Sequence, residues 1–193
     1  MYAADLTPID GPSVEYYPPF FKQRDCNEEV PSISSGEADA IRDSFDNLQR
    51  TLATKHGGKV RLAMHRLNLS SLRTTDEDGV IDSMIAMEAL LSDGTQEMTH
   101  KVAMRLAALY KIAYSSGAEP VFKELKDVYR FRSAIVHGGT NPQKYREIDR
   151  DGVKIAAVDA AVEHLRNAFA VLLKHPSLLD PKKIDAYLLT GYL

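Results

Sequence analysis

Arg132-Ser133-Ala134-Ile135-Val136-His137 sets a permanent cation and a titratable imidazole near the end of a helical stretch, just before Gly138-Gly139. Both side chains suit work on phosphodiesters. The planar donor fork of Arg132 matches a phosphate and can stabilise charge on its oxygens as a transition state forms. An imidazole, with a reference pKa of about 6.5, can take the proton of a ribose 2′-hydroxyl or give one to a leaving 5′-oxygen. Leu125, Val128, Arg132 and Ile135 recur at helical spacing, so the guanidinium projects from a stripe that otherwise reads as core. An unpaired arginine in such a seam costs several kcal/mol, and Arg132 is therefore expected to face a carboxylate, an anion or a subunit interface. The same residue types also suit a structural ion pair and a histidine in the last turn before a glycine cap.

The elements that must position this pair are read from punctuation. Residues 1–33 hold Pro8, Pro12, Pro18, Pro19 and Pro31 with Tyr16-Tyr17 and Phe20-Phe21, the composition of an extended arm. Residues 34–193 are expected to form the helical domain. Ser34-Ser35-Gly36-Glu37 has the form of a capping box, and Ile41, Phe45, Leu48 and Leu52 continue a first helix that Gly57-Gly58 is expected to end. A second runs from about Val60 to Leu72, and Thr75-Asp76-Glu77-Asp78 supplies a cap and negative charge for a third. Ile81, Met84, Ile85, Glu88 and Leu91 share one face of the third helix, which makes Glu88 the natural carboxylate to meet Arg132. Met98 to Ile112 gives a fourth helix ending near Gly117, and about Pro120 to Val136 a fifth. Gly138 to Gly152 reads as a long loop beside the Arg/His segment. Ile155 to Leu172 reads as a sixth helix, and Asp180-Pro181 starts a short last one. The fold class is all-α, with six to seven helices after the arm.

Composition narrows the function classes. The 193 residues, 44% hydrophobic and 26% charged, fit one main soluble domain, and no apolar run approaches the ~20 residues of a bilayer span. Met1-Tyr2-Ala3-Ala4-Asp5 lacks the regions of a secretory signal, so the cytoplasm is the expected compartment. Cys26 stands alone and reads as a spare surface thiol. A net charge of −3 argues against avid duplex binding but leaves room for a local basic site, with Lys101, Arg105, Lys111, Lys123, Lys126, Arg130 and Arg132 in the central segments. His56, His65, His100, His164 and His175 show no metal-ligand spacing and read as surface or helix-end residues; no metal or cofactor is expected. Phosphate-binding glycine loops, nucleophile elbows and dinucleotide fingerprints are also missing from the sequence.

Ile81-Asp82-Ser83-Met84-Ile85-Ala86-Met87-Glu88-Ala89-Leu90-Leu91, followed by Tyr129-Arg130-Phe131-Arg132-Ser133-Ala134-Ile135-Val136-His137-Gly138, resembles the HEPN superfamily, and its ApeA-like branch in particular. The resemblance covers about residues 36–175 and rests on the Asp82/Glu88 helix, Arg105 and the Arg132 to His137 motif. It implies a homodimer in which two Arg/His motifs face each other, and metal-independent RNA cleavage in antiphage defence or a toxin-type system. On that reading Arg132 and His137 are catalytic, while Glu88, Asp82 and Ser133 support them. Arg105, Arg130 and Tyr129 would hold the RNA, and an upstream sensor domain or regulatory partner would control the enzyme. Ser133 stands where active members often carry a larger polar residue, and Gly139 where nucleotidylated toxins carry a tyrosine. The alternative is a noncatalytic module that binds RNA or nucleotide, or only dimerises, with Arg132 as its anchor.

Overall fold

A computed structural model describes residues 33–94, 97–115, 117–139 and 141–192. The expected arm, apart from Ile33, and Cys26 lie outside the described residues. Seven α-helices are present among the described residues: α1 Ser35–Leu52, α2 Gly57–Leu72, α3 Asp76–Leu91, α4 Met98–Tyr114, α5 Ala118–Val136, α6 Ala157–Lys174 and α7 Pro181–Thr190. The all-α class is therefore observed, and no described helix is long and apolar enough to cross a membrane.

Side-chain caps account for three of the described helix starts. The Ser34 hydroxyl accepts from the Glu37 amide at 3.3 Å, and the Glu37 carboxylate accepts from the Ser34 amide at 2.8 Å, which completes the capping box. Thr75 caps α3 by accepting from the Asp78 amide, and Asp180 caps α7 with Pro181 at its first position. Gly57-Gly58 behaves differently from the expectation, since these glycines begin α2 and α1 has already ended at Leu52. The reason is closeness: a Cβ on Gly57 would lie 2.1 Å from the Leu52 carbonyl oxygen.

The core is organised around α3, which packs on α2, α4, α5 and α6. Val80, Met84, Met87, Leu90 and Leu91 are fully buried and share one broad stripe of α3. Its last two carbonyls, of Leu90 and Leu91, have no partner within the helix, and two cations satisfy them. Lys59 donates to the Leu90 carbonyl at 3.1 Å and also to that of Leu179, while Arg105 donates to Leu91 at 2.8 Å. Burial holds the Lys59 ammonium below its ordinary pKa. In α1 only Leu48 and Leu52 of the apolar set pack on the core, whereas Ile41 and Phe45 remain more than half exposed.

The stretch read as a loop after α5 contains order. A 3-10 turn, Pro142–Tyr145, is followed by an antiparallel hairpin, β1 Glu147–Arg150 and β2 Val153–Ala156. Asp151 and Gly152 both have positive φ, 52° and 84°, the two-residue turn that matches hairpin twist. Ile155 accordingly belongs to β2, and α6 starts two residues later.

Candidate functional site

The C-terminal end of α5 carries His137 as its cap residue, with Gly138 in the left-handed region at φ 63°. The Gly138 amide donates to the Ile135 carbonyl at 3.3 Å and the Gly139 amide to that of Ala134 at 2.8 Å, the paired closure of a Schellman motif. Glycine is needed at 138 because L side chains strain in that conformation, and at 139 a Cβ would press on the Ala134 oxygen at 3.2 Å. The helix end, and with it the His137 backbone, is thereby fixed.

Beside this end lies an open cavity of about 770 Å³. One wall is α5, through Arg130, Ser133, Ala134 and His137. The other wall is the following segment, through Gly139, Asn141, Lys144 and Tyr145. No carboxylate is among the residues lining it. Arg130 is bonded to the Asp127 carboxylate, whereas the Ser133, His137 and Asn141 side chains make no hydrogen bond or ion pair with other described residues.

Arg132 does not line that cavity. Five residues along an α-helix turn the chain by about 140° beyond a full revolution, so Arg132 and His137 diverge around α5. Arg132 sits at the edge of the core, half-buried, and its Nε is enclosed without a hydrogen-bond partner. The expected Glu88–Arg132 ion pair is not formed. Glu88 instead accepts from the Tyr129 hydroxyl at 3.3 Å. Burial and the Glu88 carboxylate push the Tyr129 phenol well above its ordinary pKa, and the nearby Arg132 charge opposes that rise. Tyr129, 6% exposed, is thus a core residue bridging to Glu88 and not an open RNA contact.

Asp82 also departs from expectation. It lies roughly 120° around α3 from Glu88 by helical geometry, and its carboxylate is taken by Arg66 at 2.6 Å and Arg73 at 2.7 Å. It ties α2 and the turn after it to α3, away from Arg132. Arg105, expected to hold RNA, is 1% exposed and paired with Asp185 at 2.7 Å and Asp93 at 3.0 Å. A guanidinium so enclosed is a structural hub, out of a substrate's reach.

No protein-family model, curated protein or solved structure matches the chain.

Of the expected site residues, the fold gathers Arg130, Ser133 and His137 on one cavity, and Glu88, Tyr129 and Arg132 on the neighbouring α3–α5 seam. Asn141, Lys144 and Tyr145 were missed, because their place opposite α5 is a tertiary fact that residue spacing does not encode. Among the described residues no three His, Cys, Asp or Glu side chains are grouped to hold a metal ion.

A second polar cluster was missed as well. His164, expected at the surface or a helix end, is 1% exposed between α4, α5 and α6. Its Nε2 lies 3.0 Å from the Glu124 carboxylate and its Nδ1 2.8 Å from the Tyr110 hydroxyl, to which Asn167 donates at 2.6 Å. An Nε2–H donating to Glu124, with Tyr110 donating to Nδ1, gives every member a partner. Arg150 completes the chain with two bonds to Glu124, at 2.7 and 3.0 Å, and one to Glu163. Burial pushes the Tyr110 phenol up to about 12. The cluster clamps the hairpin to α5 and α6.

Proposed function

We propose that the protein is a metal-independent endoribonuclease of HEPN type, acting as a homodimer in defence or as a toxin. The observation that carries this reading is the cation-lined, carboxylate-free cavity at the α5 terminus, with the uncommitted His137 and Ser133 side chains facing it. Arg132 and His137 flank Ser133 around α5, and Val136, 49% exposed, lies on the same side. Two copies of α5 apposed across a twofold axis at Ser133 and Val136 would set the Arg132 edge of one chain toward the His137 edge of the other. That arrangement would bring a phosphate to the Arg132 guanidinium. One imidazole takes the 2′-hydroxyl proton as the 2′-oxygen bonds to phosphorus; the partner's His137 protonates the 5′-oxygen as the P–O5′ bond breaks. Arg132 stabilises the charge on the phosphoryl oxygens. The products are a 2′,3′-cyclic phosphate and a 5′-hydroxyl.

A noncatalytic RNA- or nucleotide-binding module is the second reading, favoured by the exclusion of Arg132 from the His137 cavity within one chain. Incubation of single-stranded RNA with the protein in EDTA, with the new ends identified by mass spectrometry, separates the two. Cyclic phosphate ends are expected. Intact RNA would replace the nuclease reading with the binding one, and cleavage that stops when metal is chelated would overturn the metal-independent mechanism.

A further inference from the structure

The wall of the cavity opposite α5 is built by the Pro142–Tyr145 turn, and the way that turn is held sorts its side chains into two sets. Gln143 donates to Glu77 at 2.7 Å and Arg146 to Asp76 at 2.7 Å, so both are spent on the acidic first turn of α3. In a 3-10 turn residues three apart share a side, which puts Gln143 and Arg146 together and leaves Lys144 and Tyr145 for the other. Both of the latter line the cavity. Lys144 is exposed and meets no carboxylate; its ammonium rests 5.7 Å from the centre of the Tyr145 ring. Arg130, across the cavity, is already neutralised in part by Asp127. Lys144 is therefore the cation best able to accept a new anion. Tyr145 offers an amphipathic ring anchored on the core, and Asn141 an amide with donors and an acceptor. A volume of about 770 Å³ falls in the range of about 300–1,000 Å³ common for small-molecule sites, enough for a nucleotide. Its open side lets a polymer run through.

We propose that Lys144, Tyr145 and Asn141 form a substrate-binding wall for single-stranded nucleic acid, Lys144 taking a backbone phosphate and Tyr145 the face of the adjoining base. The assignment rests on the nuclease reading for its place beside the scissile bond, though not for binding itself. Anchoring by Asp76 and Glu77 keeps the wall preformed, which lowers the entropy that binding must overcome. Base stacking on an aromatic ring is tolerant of sequence, so discrimination among bases should be slight.

The test is binding of a fluorescein-labelled 2′-O-methyl oligouridylate, whose blocked 2′-oxygen prevents cleavage, measured by anisotropy over a range of salt. Lys144→Ala should weaken binding and reduce the magnitude of the salt slope by about 0.7, the contribution of one phosphate contact on a single strand. Tyr145→Leu should weaken it about fivefold or more, and Tyr145→Phe should bind as wild type, by the magnitude of base stacking. Lys174→Ala, at an exposed cation outside the cavity, should leave the affinity within about twofold, because its charge makes no phosphate contact. No wild-type binding, or Lys144→Ala indistinguishable from wild type, overturns the proposal. The nuclease reading fails separately: an oligonucleotide held through Lys144 while natural RNA stays intact sinks catalysis and keeps the wall, whereas RNA cleavage indifferent to Lys144 and Tyr145 does the reverse.

Discussion

Arg150, Glu124, His164, Tyr110 and Asn167 form one chain of hydrogen bonds that crosses from the hairpin to three helices, and Glu124 is its hinge in charge. Burial works to raise the Glu124 carboxyl, but the bonds from His164 and Arg150 more than offset it and hold it at about 2, below its ordinary 4.5. A depressed folded-state value means that the unfolded chain binds the proton more readily. The stabilisation is therefore complete above about pH 4.5, and it is lost as the pH falls toward 2. The depression corresponds to about 3 kcal/mol at this 7% exposed residue. Thermal unfolding followed from neutral pH to about pH 2 should show a steeper acid loss in wild type than in Glu124→Gln. Equal slopes in the two proteins would contradict this role for Glu124.

The α5 terminus was legible at the level of the element because its signals are local: an apolar stripe, a histidine, then two glycines. The Schellman closure turns that pattern into geometry, with Gly138 at φ 63° carrying the reversal. Gly138→Ala should destabilise the fold by about 1 kcal/mol, and Gly138→Asn by less, since Asn tolerates the left-handed region. Denaturant titration checks this, and equal stability of Ala and wild type at 138 would contradict it. The hairpin was also encoded, in Asp151-Gly152 between Ile148 and Val153, but four-residue strands give too short an alternation to stand out among charges. Gly57-Gly58 misled for a different reason. Glycine marks close backbone approach as well as helix ends, and only the packing of α2 against Leu52 distinguishes the two. Glu88 and Asp82 were expected to act together on Arg132, yet positions six apart on α3 point to different neighbours; the Asp82 partners, Arg66 and Arg73, come from α2 and the turn after it.

At the scale of the whole molecule, a chain of net charge −3 places two cations, Arg130 and Lys144, on the two walls of a cavity lined by no carboxylate. The helical core ties the site together there: α3 holds α5 through Glu88 and Tyr129, and holds the opposite cavity wall through Asp76 and Glu77. The proposed catalysis would take two chains, because Arg132 and His137 diverge around α5 and Arg132 does not line the His137 cavity. The most direct measurement is metal-free cleavage of a mixed single-stranded RNA by wild type, Arg132→Ala and His137→Ala, each first matched for folding and for mass by light scattering. The account predicts a dimeric wild type that cleaves in EDTA and a loss of about a hundredfold or more in each variant, the usual scale for removing an acid–base or charge-stabilising group. A folded, dimeric wild type that leaves RNA intact, or a His137→Ala protein that cleaves at the wild-type rate, would contradict it.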